Sequence, residues 1–422
     1  MTVGVIGAGI SGLALTHYLT ERGIETITFE AEAEPGGIIK SREVEGTVLE
    51  LGPQRLRLTP PVREFVETFD LESELYEGNT DQPLYVYTDG AFEVAPLSLE
   101  EAITTDLLSW PAKLRILAEP LTTGPIHGET VEEFLTRKFG SEAARKYFGP
   151  LYTGLYGTSA DDMLVEYSLG RALSRHGIER SLLLAVAKYV LEGRDPPPIV
   201  TFEEGMQRLP EAMTDRYDEH VHLDEPVRAV RDDGDGYVLE TSDRRVDVEA
   251  VGITTPAGTA ADIVEPTDSK MAGTLRRFNY NPLAIVHLKS TFGKVGHGCQ
   301  ILPEEGFKTN GMTWNASMLD RDGVYTSYIG ESEEFVAETD PATLGSIAAE
   351  EFETITGAEA SVLNVHKWLP GMPAYDRSWL AMRDLHPPEG IELVTNYTER
   401  AGIIGRITDA REGAARIADA VD

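Results

Sequence analysis

Val3-Gly4-Val5-Ile6-Gly7-Ala8-Gly9-Ile10-Ser11-Gly12 is the stretch that decides the fold. Its first four residues form an apolar run short enough for a buried parallel strand, and Leu13 to Arg22 reads as a helix. Between them lies G-x-G-x-x-G, in the strand–turn–helix setting that a dinucleotide fingerprint requires. Gly7 permits the tight turn, Gly9 lets backbone N–H groups approach a pyrophosphate, and Gly12 lets the helix pack close to the strand. The helix N-terminus offers that phosphate unpaired donors and a partial positive charge. The plain alternative is a glycine-rich turn with no ligand.

A second strand, Glu25 to Phe29, ends in Glu30, 18 residues past Gly12. A carboxylate at that distance accepts a hydrogen bond from a ribose 2′-hydroxyl and repels a 2′-phosphate, which argues against NADP. Glu30 leads through Ala31-Glu32-Ala33-Glu34-Pro35 to Gly36-Gly37 and Ile38-Ile39-Lys40-Ser41. An extended stretch then ends in Glu50-Leu51-Gly52-Pro53-Gln54.

These residues carry a resemblance. E-x5-G-G followed by E-L-G-P resembles the flavin amine-oxidase superfamily, and within it the protoporphyrinogen and coproporphyrinogen oxidases. The resemblance implies FAD and no separate nicotinamide site. The glycine doublet would close over the FAD phosphates and ribose, and the E-L-G-P strand would pass near the flavin. The implied cofactor-binding positions here are Gly7, Gly9, Ile10, Ser11, Gly12, Glu30, Ala31, Gly36, Gly37, Lys40, Gly52, Pro53 and Gln54. Later in the chain they are Val227, Thr255, Trp368, Asn396, Ile403 and Ile404. The implied fold is α/β, a Rossmann-type FAD-binding domain with an inserted α+β substrate domain made of a helical part and a mixed sheet. The expected division gives residues 1–75, 200–272 and 376–422 to the FAD domain. Residues 76–199 and 273–375 form the substrate domain.

Arg55-Leu56-Arg57-Leu58 follows the flavin segment. Both arginines alternate with leucines, so they share one side of an extended segment. The family form E-L-G-P-x-x-[LI]-R implies that Arg57 sits in the substrate cavity and pairs with a propionate of the tetrapyrrole. Arg55 reads as a solvated surface arginine. Gly149 to Gly157, Gly-Pro-Leu-Tyr-Thr-Gly-Leu-Tyr-Gly, resembles a family turn whose backbone borders the cavity, which implies Gly154 and Leu155 as substrate-lining positions.

Composition bounds the rest. The chain has 422 residues, enough for two domains and a sizeable core. Its formal net charge is −34, so a nucleic-acid backbone would be repelled, as would an anionic membrane surface lacking a local basic patch. Arginine outnumbers lysine among the 37 basic residues, which fits adaptation to a salt-rich cytoplasm; an ordinary acidic protein is the alternative. Cys299 is the single cysteine, so no intramolecular disulfide and no cysteine-based metal site is expected. The fold starts at once on a strand, so no signal peptide is expected, and no apolar run approaches the ~20 residues that span a bilayer. Leu182 to Leu191 reads as a core helix. The expected location is the cytoplasm.

Tyr85-Val86-Tyr87 and Phe92-Glu93-Val94 flank Asp89-Gly90 as a hairpin. Residues 99 to 191 read as mainly helical, with breaks at Pro111, Pro120, Gly124-Pro125 and Pro150. Within them, Leu107, Leu108, Trp110, Leu114, Ile116, Leu117 and Leu121 form an apolar cluster. Core packing explains it, and the resemblance implies peripheral membrane contact as the other reading. Asp195-Pro196-Pro197-Pro198 marks a linker. Thr201 to Pro210 resembles the family's return into the FAD domain, and Pro226-Val227 would meet the adenine end through backbone groups. Strands follow at 221–223, 227–230, 237–240, 251–255, 284–288, 299–302, 311–315, 324–329 and 362–369, and a helix spans 342–356. Trp368 to Tyr375 resembles the approach to the flavin. The chain ends in a loop, Gly402 to Gly413, that is expected to bring Arg406 near the flavin, and a helix from Ala410 to Val421 whose N-terminus faces the flavin pyrimidine.

No metal site is expected: His220 and His222 share a strand face without a further ligand at metal spacing. No G-x-S-x-G elbow occurs. Amine oxidases of the superfamily hold a lysine near flavin N5 in the strand written here Asn281 to Val286, and this chain has none there. The resemblance therefore implies an oxidase of porphyrinogens, passing a hydride from a meso carbon to flavin N5, with dioxygen or another acceptor taking the electrons. An isoprenoid desaturase, an amine oxidase, and a flavin-binding protein with altered chemistry stay open.

Overall fold

Thr2–Ile6 is the middle strand of a five-stranded parallel sheet. It pairs with Glu25–Phe29 on one side and Ala250–Ile253 on the other; Val221–His222 and Ile391–Leu393 form the edges. Val3 and Val5 are fully buried, as an apolar strand covered on both faces should be. The structure, a computed structural model, describes residues 2–96, 99–193, 196–330 and 332–421. Asp195, expected to open the proline-rich linker, lies outside them.

Helices Ile10–Thr20 and Ile403–Val421 pack together against this sheet through Leu13, Leu15, Ile407, Ala410 and Ile417. The first helix begins at Ile10, three residues earlier than its apolar spacing suggests. A Cβ on Gly12 would run into the carbonyl oxygen of Gly7, so the glycine that starts the helix also lets it lie on the turn.

A second, mixed sheet has seven strands. In order they are Ala360–Pro373, Tyr280–Ser290, Val324–Ile329, Thr309–Thr313, Gly298–Ile301, Leu84–Thr88 and Ala91–Ala95. Gly298–Ile301 runs parallel to Leu84–Thr88, and the other pairs are antiparallel. The hairpin turn at Asp89-Gly90 has φ of 51° and 72°, the two positive angles that a tight hairpin needs. Alternation divides the sheet. Ala284, Val286, Leu288, Met312, Tyr325 and Ile329 form a core with Leu344, Ala348 and Phe352 of helix Pro341–Thr356. His287, Thr313 and Tyr328 fall on the opposite face.

The stretch from 99 to 193 is helical, as composition suggests, but its prolines act differently from expectation. Pro111 and Pro150 lie in the first turns of helices Trp110–Leu117 and Gly149–Tyr156. Pro111 follows the extended N-cap Ser109, where a missing N–H costs nothing, so it starts its helix. Pro150 lies in a helical run that continues from Ser141–Ala143 through the π-helical turn Ala144–Phe148, so it does not break the helical course either. Gly149 to Tyr156 is accordingly a helix, not a turn, closed by Gly157 in the left-handed region. Val131–Phe139 begins with a capping box between Thr130 and Glu133.

Two other expectations are corrected. Leu182–Leu191 is a helix but not a core one: Leu184 and Leu191 are 61% and 87% exposed. The last helix starts at Ile403, so the loop expected from Gly402 to Gly413 does not exist. Arg406 lies inside that helix, buried, with Nε donating to the carbonyl oxygen of Arg400 at 2.7 Å and Nη1 to Asp409 at 3.1 Å. An internal ion pair three residues apart stabilises the early helix start, a signal that glycines at 402, 405 and 413 hide in the sequence.

Candidate active site

The first strand delivers its chain end into a cradle of glycines. Gly7 has φ of 104°, Gly36 112° and Gly37 60°, conformations that side chains rarely adopt. Gly36 N–H donates to the carbonyl oxygen of Ala8 at 2.9 Å, which folds the second glycine pair over the first turn. Gly9 behaves differently. Its φ of −69° suits any residue, and a Cβ there would meet no protein atom closer than 3.9 Å. Nothing in the protein requires glycine at position 9. Gly9 is also the N-cap of helix Ile10–Thr20, and no side chain caps that end. An open space before uncapped helix donors fits a pyrophosphate.

Glu30 stands over the same turn. One carboxylate oxygen accepts from Ala8 N–H at 2.7 Å and the other from Glu32 N–H at 3.0 Å. The sequence places this acid as a ribose acceptor, and its position beside the glycine turn is compatible with that role. Ala31 is exposed, and Lys40 pairs with Glu32. Thr255, at the end of the adjoining strand, carries a buried hydroxyl oxygen with no protein partner. Val227 is buried in a three-stranded sheet with Tyr237–Thr241 and Arg245–Val248.

The segment from Glu50 to Gln54 runs between this cradle and the seven-stranded sheet. A Cβ on Gly52 would strike the carbonyl oxygen of Ile38, so the two segments pass in direct backbone contact. Trp368 Nε1 donates to the Leu51 carbonyl oxygen at 2.6 Å, and His287 Nε2 lies 3.0 Å from that of Glu50. Gln54 is buried and its amide oxygen accepts from Asn315, which in turn accepts from Thr326. The Gln54 side chain is thus committed to the protein, and only its backbone remains for a ligand. Asn396 accepts from the Tyr280 hydroxyl at 3.0 Å. Ile403 and Ile404 form the first turn of the last helix, next to Gly402.

The two arginines sit differently from expectation, and one histidine was missed by sequence reasoning. Arg55, taken as a solvated surface residue, is half-buried, with Nη1 2.8 Å from Met318 Sδ. Arg57, taken as the cavity residue, is exposed, and its Nη1 donates to the Pro197 carbonyl oxygen at 2.8 Å. His287 also escaped notice; burial lowers its pKa to about 4, so the ring is neutral near pH 7. It then donates from Nε2 to Glu50, and its buried Nδ1 has no protein partner. Its place in the run Leu283-Ala284-Ile285-Val286-His287-Leu288 would have flagged it as the one polar residue of an apolar stretch.

Residues 10–422 match the sequence profile described as flavin containing amine oxidoreductase. The chain belongs to that family. As a flavin amine oxidoreductase it is an FAD-dependent oxidoreductase, and the open glycine cradle is compatible with that cofactor. Among curated relatives, the chloroplastic protoporphyrinogen oxidase of Oryza sativa subsp. japonica is 26% identical, over 98% of this chain and 88% of that one. A coproporphyrinogen III oxidase of Staphylococcus aureus is 31% identical over 38% of each chain. Among solved structures, a protein from Exiguobacterium sp. 255-15, provisionally described as a protoporphyrinogen oxidase, superposes with a TM-score of 0.77. The match covers 99% of this chain and 98% of that one, at 18% identity, and speaks for the fold of this flavin oxidoreductase.

Proposed function

We propose that this flavin oxidoreductase oxidises a porphyrinogen, protoporphyrinogen IX or coproporphyrinogen III, to the porphyrin. The observation that carries the reading is the 98% span shared with a protoporphyrinogen oxidase. The site's charge supports it: two arginines follow the flavin segment, on the short strand Leu56–Arg57 and one residue before it. A guanidinium suits a propionate and repels an amine cation. The strand from Asn281 to Val286 also lacks the lysine expected of an amine oxidase.

FAD, when bound, supplies the hydride acceptor and passes the electrons to dioxygen or another acceptor. The chain's part is to hold and orient. Gly7 to Gly12, Glu30 and Gly36-Gly37 hold the dinucleotide end. The Leu51 to Gln54 backbone, fixed by Trp368 and Asn315, borders the reacting end. The macrocycle would lie against the sheet face carrying Tyr328 and Thr313, with Gly154 and Leu155 lining the cavity by backbone and Arg57 meeting a carboxylate at its rim. In this reading residues 1–75, 200–272 and 376–422 form the FAD-binding domain, and 76–199 and 273–375 the substrate domain.

The protein acts in the cytoplasm, in peripheral contact with a membrane. No described helix is long and apolar enough to cross one. Leu107 and Leu108 of the apolar cluster are buried, but Trp110, Leu114, Leu117 and Leu121 are 66%, 66%, 67% and 83% exposed. Together with Leu184 and Leu191 they give the helical part an apolar surface that favours a neutral lipid surface over an anionic one. Sedimentation with phosphatidylcholine vesicles tests this, and Leu114→Glu with Leu117→Glu should abolish it. The enzymatic reading is tested by anaerobic bleaching of the flavin absorbance with each porphyrinogen. Bleaching by an amine or an isoprenoid alone would favour the other readings.

A further inference from the structure

Arg55 and Arg57 carry like charges side by side, and neither forms an ion pair with an Asp or Glu among the described residues. Other arginines of this acidic chain do find a carboxylate. Arg137, Arg208 and Arg406 each meet a carboxylate at 2.7, 2.7 and 3.1 Å. Arg57 is exposed and is solvated. Arg55 is not. Its one hydrogen-bond partner among the described residues is a thioether sulfur, a weak acceptor that leaves the charge uncompensated.

The surroundings of Arg55 repeat the pattern. Burial lowers its pKa most; of its charged or titratable neighbours Tyr328 raises it and Arg57 lowers it. His297 is lowered first by burial and then by both arginines, so the two guanidinium groups bear on one imidazole. The Tyr328 hydroxyl lies 3.1 Å from that of Thr313, on the sheet face turned away from the Phe352 core. Met318, which holds Arg55 in place, belongs to the short helix Asn315–Met318, whose Asn315 also fixes Gln54. The same few residues thus position the flavin segment and a half-buried cation one residue after it. A guanidinium withdrawn from water without a counter-charge is a strong site for an anion.

We propose that Arg55 is a specificity-determining residue that binds a carboxylate of the substrate inside the cavity, over Tyr328 and Thr313, while Arg57 serves a carboxylate at the rim. The identity of the anion rests on the tetrapyrrole reading above. Two guanidinium groups on one edge select substrates with carboxylates on that edge over their neutral analogues. The selection is geometric as well as electrostatic, because the fork of Arg55 meets both oxygens of one carboxylate.

Purified holoenzyme is titrated with coproporphyrin III and with its tetramethyl ester, followed by porphyrin fluorescence, in wild type, Arg55→Met and Arg55→Lys. Wild type should bind the acid at least tenfold tighter than the ester. Arg55→Met should lose that preference and Arg55→Lys keep part of it. Both should retain flavin. The melting temperature of Arg55→Met should hold or rise, since an uncompensated charge is removed; a merely structural Arg55 would lower it. An unchanged acid-to-ester ratio in Arg55→Met, with wild type active on a porphyrinogen, overturns the Arg55 assignment and leaves the enzymatic reading standing. If wild type binds neither form, the tetrapyrrole reading fails and this assignment fails with it.

Discussion

The imidazole Nε2 of His287 lies 3.0 Å from the carbonyl oxygen of Glu50, joining the seven-stranded sheet to the segment that runs on to Gln54. The contact needs a neutral ring only in part, since either protonated form can donate from Nε2. Burial sets the charge state: it lowers the pKa from 6.5 to about 4. The sign follows. Above pH 6.5 the ring is neutral folded or unfolded and contributes no pH dependence. Between pH 6.5 and 4 the unfolded chain takes up a proton that the folded one refuses, so stability falls by about 3 kcal/mol over that window. His287→Leu should be less stable at pH 7 and lose less between pH 7 and 4 than wild type. Equal pH slopes in denaturant unfolding would refute this.

Gly9 and Gly12 look alike in sequence and should fail differently. The Cβ of Gly9→Val comes no closer than 3.9 Å to a protein atom, so the variant should fold and lose flavin, because its side chain fills the space before the helix N-terminus. Gly12→Ala collides with the Gly7 backbone and should destabilise the protein itself, by about 1–3 kcal/mol or more. Flavin content and apoprotein melting temperature, measured on both variants, separate the two effects.

Lys138 and Glu119 form a buried ion pair at 2.7 Å, with side chains 1% and 0% exposed. Ser181 and the backbone of Leu182 and Leu183 also donate to Glu119. Burial pushes the Glu119 carboxyl upward, but Lys138 and Ser181 outweigh it and hold it below its ordinary value. Lys138→Met should cost about 3–5 kcal/mol by stranding the carboxylate, and adding Glu119→Leu should recover part of that. The pair's contribution is present above pH 4.5 and should disappear as the pH falls through the lowered carboxyl value. Thermal unfolding of both variants at pH 7 and pH 4 checks both statements.

A net charge of −34 brings self-repulsion that salt relieves. If the acidity is adaptation to a salt-rich cytoplasm, the melting temperature should rise as ionic strength goes from 0.1 to 1 M and screening shortens from ~10 Å to ~3 Å. Equal melting temperatures would reject that adaptation and leave the enzymology untouched.

The strand–turn–helix around Gly7 to Gly12, with Glu30 beside it, was legible because it is local. Gly7, Gly9, Gly12 and Glu30 carry their meaning in spacing, and backbone geometry alone decides whether they work. What the Arg55 and Arg57 side chains touch was not, because it depends on partners distant in sequence. Arg55 and Arg57 are two residues apart and indistinguishable by pattern; only Met318 and Pro197 tell them apart. The last helix was misread for the same reason. Gly402, Gly405 and Gly413 suggest a loop, while the buried contact of Arg406 with Asp409 and packing on Leu13 and Leu15 favour a helix. The exposed face of Leu182–Leu191 shows the limit of composition, which cannot tell an apolar helix that meets a core from one that meets something outside the chain.

The most direct test of the account is porphyrin fluorescence as colourless porphyrinogen is oxidised by the purified protein, against a no-enzyme control for autoxidation. The account predicts a yellow protein that turns over protoporphyrinogen IX or coproporphyrinogen III well above that control, with Arg55→Met raising the apparent KM at least tenfold. A flavin-loaded protein with no rate above the control on either porphyrinogen, reduced instead by an amine or an isoprenoid, would contradict it.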